Sequence, residues 1–256
     1  MTSKQVSLIC IFSVLLFAAS HVNGVDAQEF VTDGLIAMYT LDEADIKGDV
    51  VVDTLGKNDA KLIGKLKFVP SVKPGFGDAM EFEGKADNYV EIPKLGMLEK
   101  VSIECWALEG QFGGIQGIVS TWQWVAGKVH FKFQDNEIQV HKNDGVKIRL
   151  AGKNNEWYHI IYTSDTKANE LKLYVNGELV DEGNAAAAPE NMDERRIGSE
   201  HDGRFLIGMI DEVRIYDRIL DEKEVEQNFE VKSNKLAVDP AGKLSTSWGF
   251  IKRIRN

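Results

Sequence analysis

The chain has 256 residues, 43% of them hydrophobic, a formal net charge of -10 and two cysteines. This composition supplies a sizeable core for an ordinary globular domain. The acidic balance speaks against a nucleic-acid partner, which calls for a basic footprint, and two cysteines are too few for a disulfide framework.

The N-terminus reads as an export signal. Lys4 provides the positive start, residues 6–19 a short apolar run, and Ser20, Gly24 and Ala27 the small residues that follow. Val25-Asp26-Ala27 fits a cleavage site, with Val22-Asn23-Gly24 as a second choice. The run is shorter than the roughly 20 residues that cross a bilayer, and no later segment is long and apolar enough. The sequence therefore predicts a signal peptide over 1–27, a folded domain over 28–231, and a mature protein that is secreted, periplasmic or extracellular. Cleavage removes Lys4 and Asp26 together, so the net charge is unchanged, and it leaves Cys105 as the single cysteine. No intramolecular disulfide is then possible, and packing must hold the fold.

Strand-like segments recur between turn residues, an all-β pattern. Residues 34–41 open the domain, and 79–82 and 89–92 follow. Residues 101–108, 117–122, 129–133 and 137–141 form the middle. In 101–108, alternation puts Ile103 and Cys105 on one face and Glu104 and Trp106 on the other. Cys105 thus reads as a buried structural thiol rather than a nucleophile. Residues 157–163, 170–175, 178–180, 196–198 and 206–216 complete the set. Asn176-Gly177 predicts a two-residue hairpin turn, because both residues tolerate positive φ, and Gln134-Asp135-Asn136 serves the same purpose. The acidic segment 221–229, with Val225 and Phe229 four apart, predicts one short helix on the end of the sandwich. The tail over 232–256 turns basic and reads either as a frayed terminus or as a docking segment.

Several ordered stretches carry a family resemblance. They include Gly34-Leu35-Ile36-Ala37-Met38-Tyr39, Ser102-Ile103-Glu104-Cys105-Trp106-Ala107, Trp157-Tyr158-His159-Ile160-Ile161-Tyr162, Leu171-Lys172-Leu173-Tyr174-Val175-Asn176-Gly177 and Ile207-Gly208-Met209-Ile210-Asp211-Glu212-Val213-Arg214. Together they resemble a laminin-G-like jelly roll of the concanavalin A-like lectin/glucanase superfamily, of bacterial secreted type. The resemblance implies a two-sheet antiparallel β-sandwich with one short C-terminal helix. It says less about function, because this scaffold carries lectins, adhesion modules and glycosidases alike.

Many members of that family hold a structural calcium ion that ties the first strand to the last. The resemblance places it at Asp211, Asp42 and the carbonyl of Gly77. Calcium takes six to eight hard oxygen ligands, many from backbone. The alternative is that Asp211 caps a turn or pairs with Arg214. The family's glucanases need two carboxylates on one strand face, whereas the matching strand here offers Glu104 alone, followed by Trp106 and Leu108. The expectation is a protein that is not an enzyme.

Trp122 and Trp124 share one strand face if the strand continues through Gln123. Exposed indoles there would stack on sugar rings, with His141, Asp202 and Arg204 supplying polar groups; the alternative is that at least one fills the core. His159 reads as a core residue, and His130 and His141 sit on neighbouring strands without further zinc ligands in view. The function expected is a non-catalytic module that binds glycans or cell-surface or matrix polymers. An adhesion protein recognising protein partners, or a glucanase-type glycosidase, are the alternatives.

Overall fold

The computed structural model describes residues 29–143, 146–185, 188–200 and 203–235. The signal peptide expected over 1–27 and the tail beyond 235 lie outside the described residues. Within them the chain is a β-sandwich with one α-helix, Glu222–Glu230, as its sequence predicts.

One layer is an eight-stranded sheet. Its order is Glu178–Gly183, Glu170–Val175, Trp157–Asp165, Lys100–Glu109, Ile207–Tyr216, Asp78–Glu83 and Lys67–Pro70, and Leu35–Tyr39 also pairs with Ile207–Tyr216. The facing layer has two parts. Ile115–Gly117, Val129–Gln134, Glu137–Lys142 and Lys147–Ala151 form four strands in that order. Six more run from Val119–Thr121 through Arg195–Ile197, Tyr89–Glu91 and Ala60–Ile63 to Val50–Val51 and Ile46–Lys47. Ile118 joins the two parts: its N–H donates to the Phe131 carbonyl, and its own carbonyl accepts from Gly198 N–H.

Alternation builds the core between the layers. From the large sheet, Val101, Ile103, Cys105 and Ala107 meet Ile160, Tyr162, Leu171 and Leu173; the facing layer contributes Phe131, Phe133, Ile138, Val140, Val90 and Ile197. Cys105 is buried here, and burial pushes its thiol pKa up. The opposite face of Lys100–Glu109 looks outward. There Trp106 packs with Phe30, Met38, Phe76 and Val231 and stacks on Phe229, so the helix covers that face. The helix starts on a capping box: Asp221 accepts from the N–H groups of Lys223 and Glu224, and the Glu224 carboxylate accepts from Asp221 N–H.

Both predicted turns have the backbone a twisted hairpin requires. Asn176 and Gly177 take φ of 53° and 86°, and Asp135 and Asn136 take 55° and 66°. The expected strand over 117–122 is two strands instead. It ends at Thr121, whose hydroxyl accepts the N–H of Gln123 and turns the chain.

Candidate binding site

The outer face of the four-stranded sheet is built by the other half of the same alternation. While Phe131 and Phe133 point into the core, His130 and Lys132 point away from it, and on the paired strand so does His141. His130 and His141 are register partners, with ring centroids 6.0 Å apart. The loop that follows Thr121 lays the Trp124 indole on this shelf. Its centroid is 3.8 Å from that of His130, at an interplanar angle of 22°, and 5.8 Å from His141 edge-on. Trp124 remains 45% exposed.

A second loop brings charge to the shelf. The backbone of Ser199 and Glu200 passes so close over Gly117 that a Cβ there would meet the Ser199 carbonyl carbon at 2.2 Å. Only glycine allows that crossing. Gly117 N–H and Glu200 N–H both donate to the Arg204 carbonyl, which fixes the return of the loop. The buried Glu200 carboxylate then accepts from Arg204 at 2.8 Å and from the Ser120 hydroxyl at 3.2 Å, and lies 3.3 Å from His130 Nδ1. Burial works against its charge, but His130, Lys132 and Arg204 together hold its pKa below the usual carboxylate range. Burial lowers the pKa of both His130 and His141, and the Lys132 charge pushes each further down. Glu200 pulls both the other way without reversing the shift. The Arg204 guanidinium and the Lys132 ammonium each lie 5.3 Å from the Trp124 ring centroid.

Of the residues singled out from sequence, Trp124, His141 and Arg204 come together. Trp122 does not join them. It lines a neighbouring depression of about 340 Å³ with Glu91, Lys94, Glu194 and Arg196. The two tryptophans do not share a strand face, because both lie past the strand end at Thr121. Neither fills the core: Trp122 is 40% exposed and Trp124 45%. Asp202 lies outside the described residues. Glu200, Lys132 and the packing role of His130 were not foreseen.

Asp42, Gly77 and Asp211 also gather. Gly77 takes φ of 80°, and a Cβ on it would lie 2.1 Å from Asp42 Oδ1. Asp42 Oδ1 accepts from Asp78 N–H at 2.6 Å, and Asn234 donates to its other oxygen at 3.3 Å. Asp211 sits at a β-bulge, where Glu212 takes φ of 54° and is brought beside Arg214 at 2.5 Å. Asp211 does not pair with Arg214 but accepts from the Ser71 hydroxyl. Its other oxygen, and Oε1 of Glu212, are buried without a hydrogen-bond partner. Burial, and then the neighbouring carboxylates, push the Asp211 pKa well up; burial raises that of Glu212 to about 7, with Asp42 and Glu104 adding to the rise. Among the described residues, no three His, Cys, Asp or Glu side chains form a group able to hold a metal ion.

Glu104 is far from any open surface. It lies beneath the helix, where Arg214 donates to it at 2.6 Å, Asn228 at 2.5 Å and Tyr216 at 3.4 Å, with His159 Nε2 at 3.0 Å. Glu109, the other carboxyl of that strand, is raised to about 7 by burial alone and accepts from Gln116.

Comparison with known proteins agrees with this architecture. A laminin G-type family model, described as the concanavalin A-like lectin/glucanases superfamily, matches residues 83–226, more than half of the chain. The chain belongs to that superfamily. No curated protein matches in sequence. Among solved structures, domain 4 of the extracellular GH43 arabinanase AbnA from Geobacillus stearothermophilus, in complex with arabinotriose, is similar. The TM-score is 0.62 at 16% identity, over 76% of this chain and 97% of that one. The ligand binding domain of botulinum neurotoxin serotype D, in complex with N-acetylneuraminic acid, gives 0.62 at 14% identity, over 77% and 51%. The sialidase of Trypanosoma rangeli gives 0.60 at 14%, over 80% and 34%. The chain thus spans about half of the toxin domain and a third of the sialidase. No helix among the described residues is long and apolar enough to cross a membrane.

Proposed function

We propose that the protein is a secreted, non-catalytic binding module that takes a glycan, or another extracellular polymer presenting sugar rings, against Trp124. The observation that carries this reading is a half-exposed indole held flat on the buried His130 ring, with His141 and Arg204 beside it. A flat apolar surface with a few fixed polar groups is what orients a small polar ligand. The Trp124 shelf is positioned by hydrogen-bonded strands and by a loop clamped over Gly117, so little is left to order on binding. The arabinanase domain in complex with arabinotriose and the toxin domain in complex with N-acetylneuraminic acid, each containing a similar sandwich, support the reading. The sealed position of Glu104, and the lack of any charged neighbour shifting Glu109, support a role without hydrolysis. The test is a glycan array with the wild type and Trp124→Ala, alongside melting curves. Loss of binding at an unchanged melting temperature supports the reading, and array binding that survives the substitution overturns it.

A structural calcium ion at Asp42, Asp211 and the Gly77 carbonyl belongs to the same proposal. The buried, unpartnered oxygens of Asp211 and Glu212 suit a hard cation, which would relieve the repulsion among these carboxylates. The remaining ligands would come from backbone, and the ion would stabilise the fold without acting on a bound sugar.

A further inference from the structure

We infer that the Trp124 shelf selects ligands bearing an anionic group, a carboxylate or a sulfate ester on the sugar, and that Lys132 is the residue that receives it. This inference rests on the glycan reading above and narrows its ligand class.

Lys132 is unusual for a lysine on the outer face of a sheet. It is only 2% exposed, and among the described residues its ammonium donates no hydrogen bond and forms no ion pair. Its partners are electrostatic only, the Trp124 ring and the Glu200 carboxylate, so the ammonium has hydrogen bonds still to offer, and burial of the side chain lowers its pKa. Its nearest anion is already committed. Glu200 is bonded to Arg204 at 2.8 Å and to Ser120 at 3.2 Å, and stands 3.3 Å from His130. Lys132 and Arg204 are two cations of the described part of the shelf that lie beside the indole, in a protein whose overall charge is -10.

Both cations flank the surface on which a ligand would rest. Lys132 Nζ and the Arg204 guanidinium are equidistant from the Trp124 ring, at 5.3 Å. An acidic sugar stacked on the indole would bring its anionic group within reach of these cations and complete the hydrogen bonding that Lys132 lacks. Such charge-assisted bonds are short and about twice as strong as neutral ones. A neutral sugar would instead leave the ammonium unpaired while removing water from it, and unpaired buried polar groups are how sites reject the wrong ligand. The surrounding negative charge would keep acidic polymers away from the rest of the surface, so selectivity would be confined to this shelf.

The inference is tested with polymers that differ only in charge. Binding of the full chain is measured by tryptophan fluorescence and calorimetry to polygalacturonate and its methyl ester, and to dextran sulfate and dextran. The expected result is at least about tenfold tighter binding to one acidic member than to its neutral counterpart, and its weakening by salt. The pair that shows the difference tells a carboxylate from a sulfate. Lys132→Gln should lose that preference, bringing the affinities for the acidic and the neutral member to within about twofold of each other. Because Lys132 is buried, Arg204→Gln, at a partly exposed position, serves as a second variant and should weaken the same preference. Equal binding of acidic and neutral members, or a preference that survives Lys132→Gln in a protein with an unchanged melting curve, overturns the inference but leaves glycan binding standing. Failure of any of these polymers to bind, while uncharged sugars are retained on a glycan array, also overturns it. No sugar bound on polymers or array would overturn the glycan reading itself.

Discussion

The two faces of the sandwich carry two clusters made from the same residue types. Beneath the helix, Glu104 is bonded to Arg214 and His159. On the opposite face, Glu200 is bonded to Arg204 and lies beside His130. The first cluster is closed: Asn228 and Tyr216 complete the shell of Glu104, Glu212 takes the second arm of Arg214, and Phe30 stacks over the guanidinium at 4.3 Å. The second is open, with Trp124 half in solvent and Lys132 without a hydrogen bond among the described residues. Carboxylate, imidazole and guanidinium in contact therefore do not by themselves mark a site. The difference lies in access: Glu104, Arg214 and His159 are buried beneath the helix, whereas Trp124 and Arg204 at the second cluster reach solvent.

The largest effect should come from breaking the closed cluster. Glu104→Ala leaves Arg214 and Asn228 buried with a missing partner, and removal of one member of a buried ion pair costs about 3–5 kcal/mol. A fall in denaturation midpoint of that size is expected in urea titration. Glu200→Ala should cost less, because its partner Arg204 is partly exposed and can turn to water.

Acid should open the same cluster. Arg214 and His159, working against the cost of burial, hold Glu104 at about 2, against an ordinary 4.5. A depressed carboxylate contributes stability above its unfolded pKa and loses it as pH falls through the folded one. About 3 kcal/mol should therefore disappear between about pH 4.5 and pH 2. His159 faces Glu104, Arg214 and Lys73, and its lowered pKa acts in the same direction, beginning as pH drops below about 6.5. Melting temperatures followed from pH 7 to 3 should fall in wild type and flatten over the lower window in Glu104→Gln.

Calcium should act on the closed side alone. A ligand bound only by the native state adds about 2.7 kcal/mol at a hundredfold excess over Kd. Chelation should lower the melting temperature of wild type but not of Asp211→Ala, with affinity for sugar unchanged at a temperature where both are folded. The smallest effect on stability should be at the open cluster: Trp124→Ala should cost about 1 kcal/mol or less while abolishing sugar binding, and Trp122→Ala should spare both.

Much of the fold was legible because its long strands alternate apolar with polar residues, even though both of their faces are buried. Lys100–Glu109, Trp157–Asp165 and Ile207–Tyr216 all lie within a residue or two of where periodicity puts them. Ile46–Lys47, Val50–Val51 and Met97–Leu98 were missed, since two residues carry no period. Lys67–Pro70 was hidden by its proline, and the alternation of Lys147–Ala151 is too short to stand out from its basic surroundings. The site was legible in part. Trp124, His141 and Arg204 show themselves as an aromatic and polar groups in exposed segments. Glu200 does not, because its partner Ser120 is 80 positions away and only the crossing over Gly117 brings them together. Lys132 sits in a clean alternating strand and reads as an ordinary solvated lysine; nothing in that pattern signals a Trp124 ring 5.3 Å from its ammonium.

The described chain begins and ends on one side. The N–H of Val31 donates to Asn228, the Gln227 side chain donates to the Glu29 carbonyl, and Lys73 holds the carbonyl of Val231. These contacts lie on the helix-covered face, and Trp124 is on the other. Such a molecule has a handle and a palm. A bead or a solid support coupled on that face, at Glu29 or Lys235, would grip the handle and leave the palm turned outward. Many copies fixed this way would present their indoles in parallel to a polymer lying across them, where weak single grips add up to firm retention.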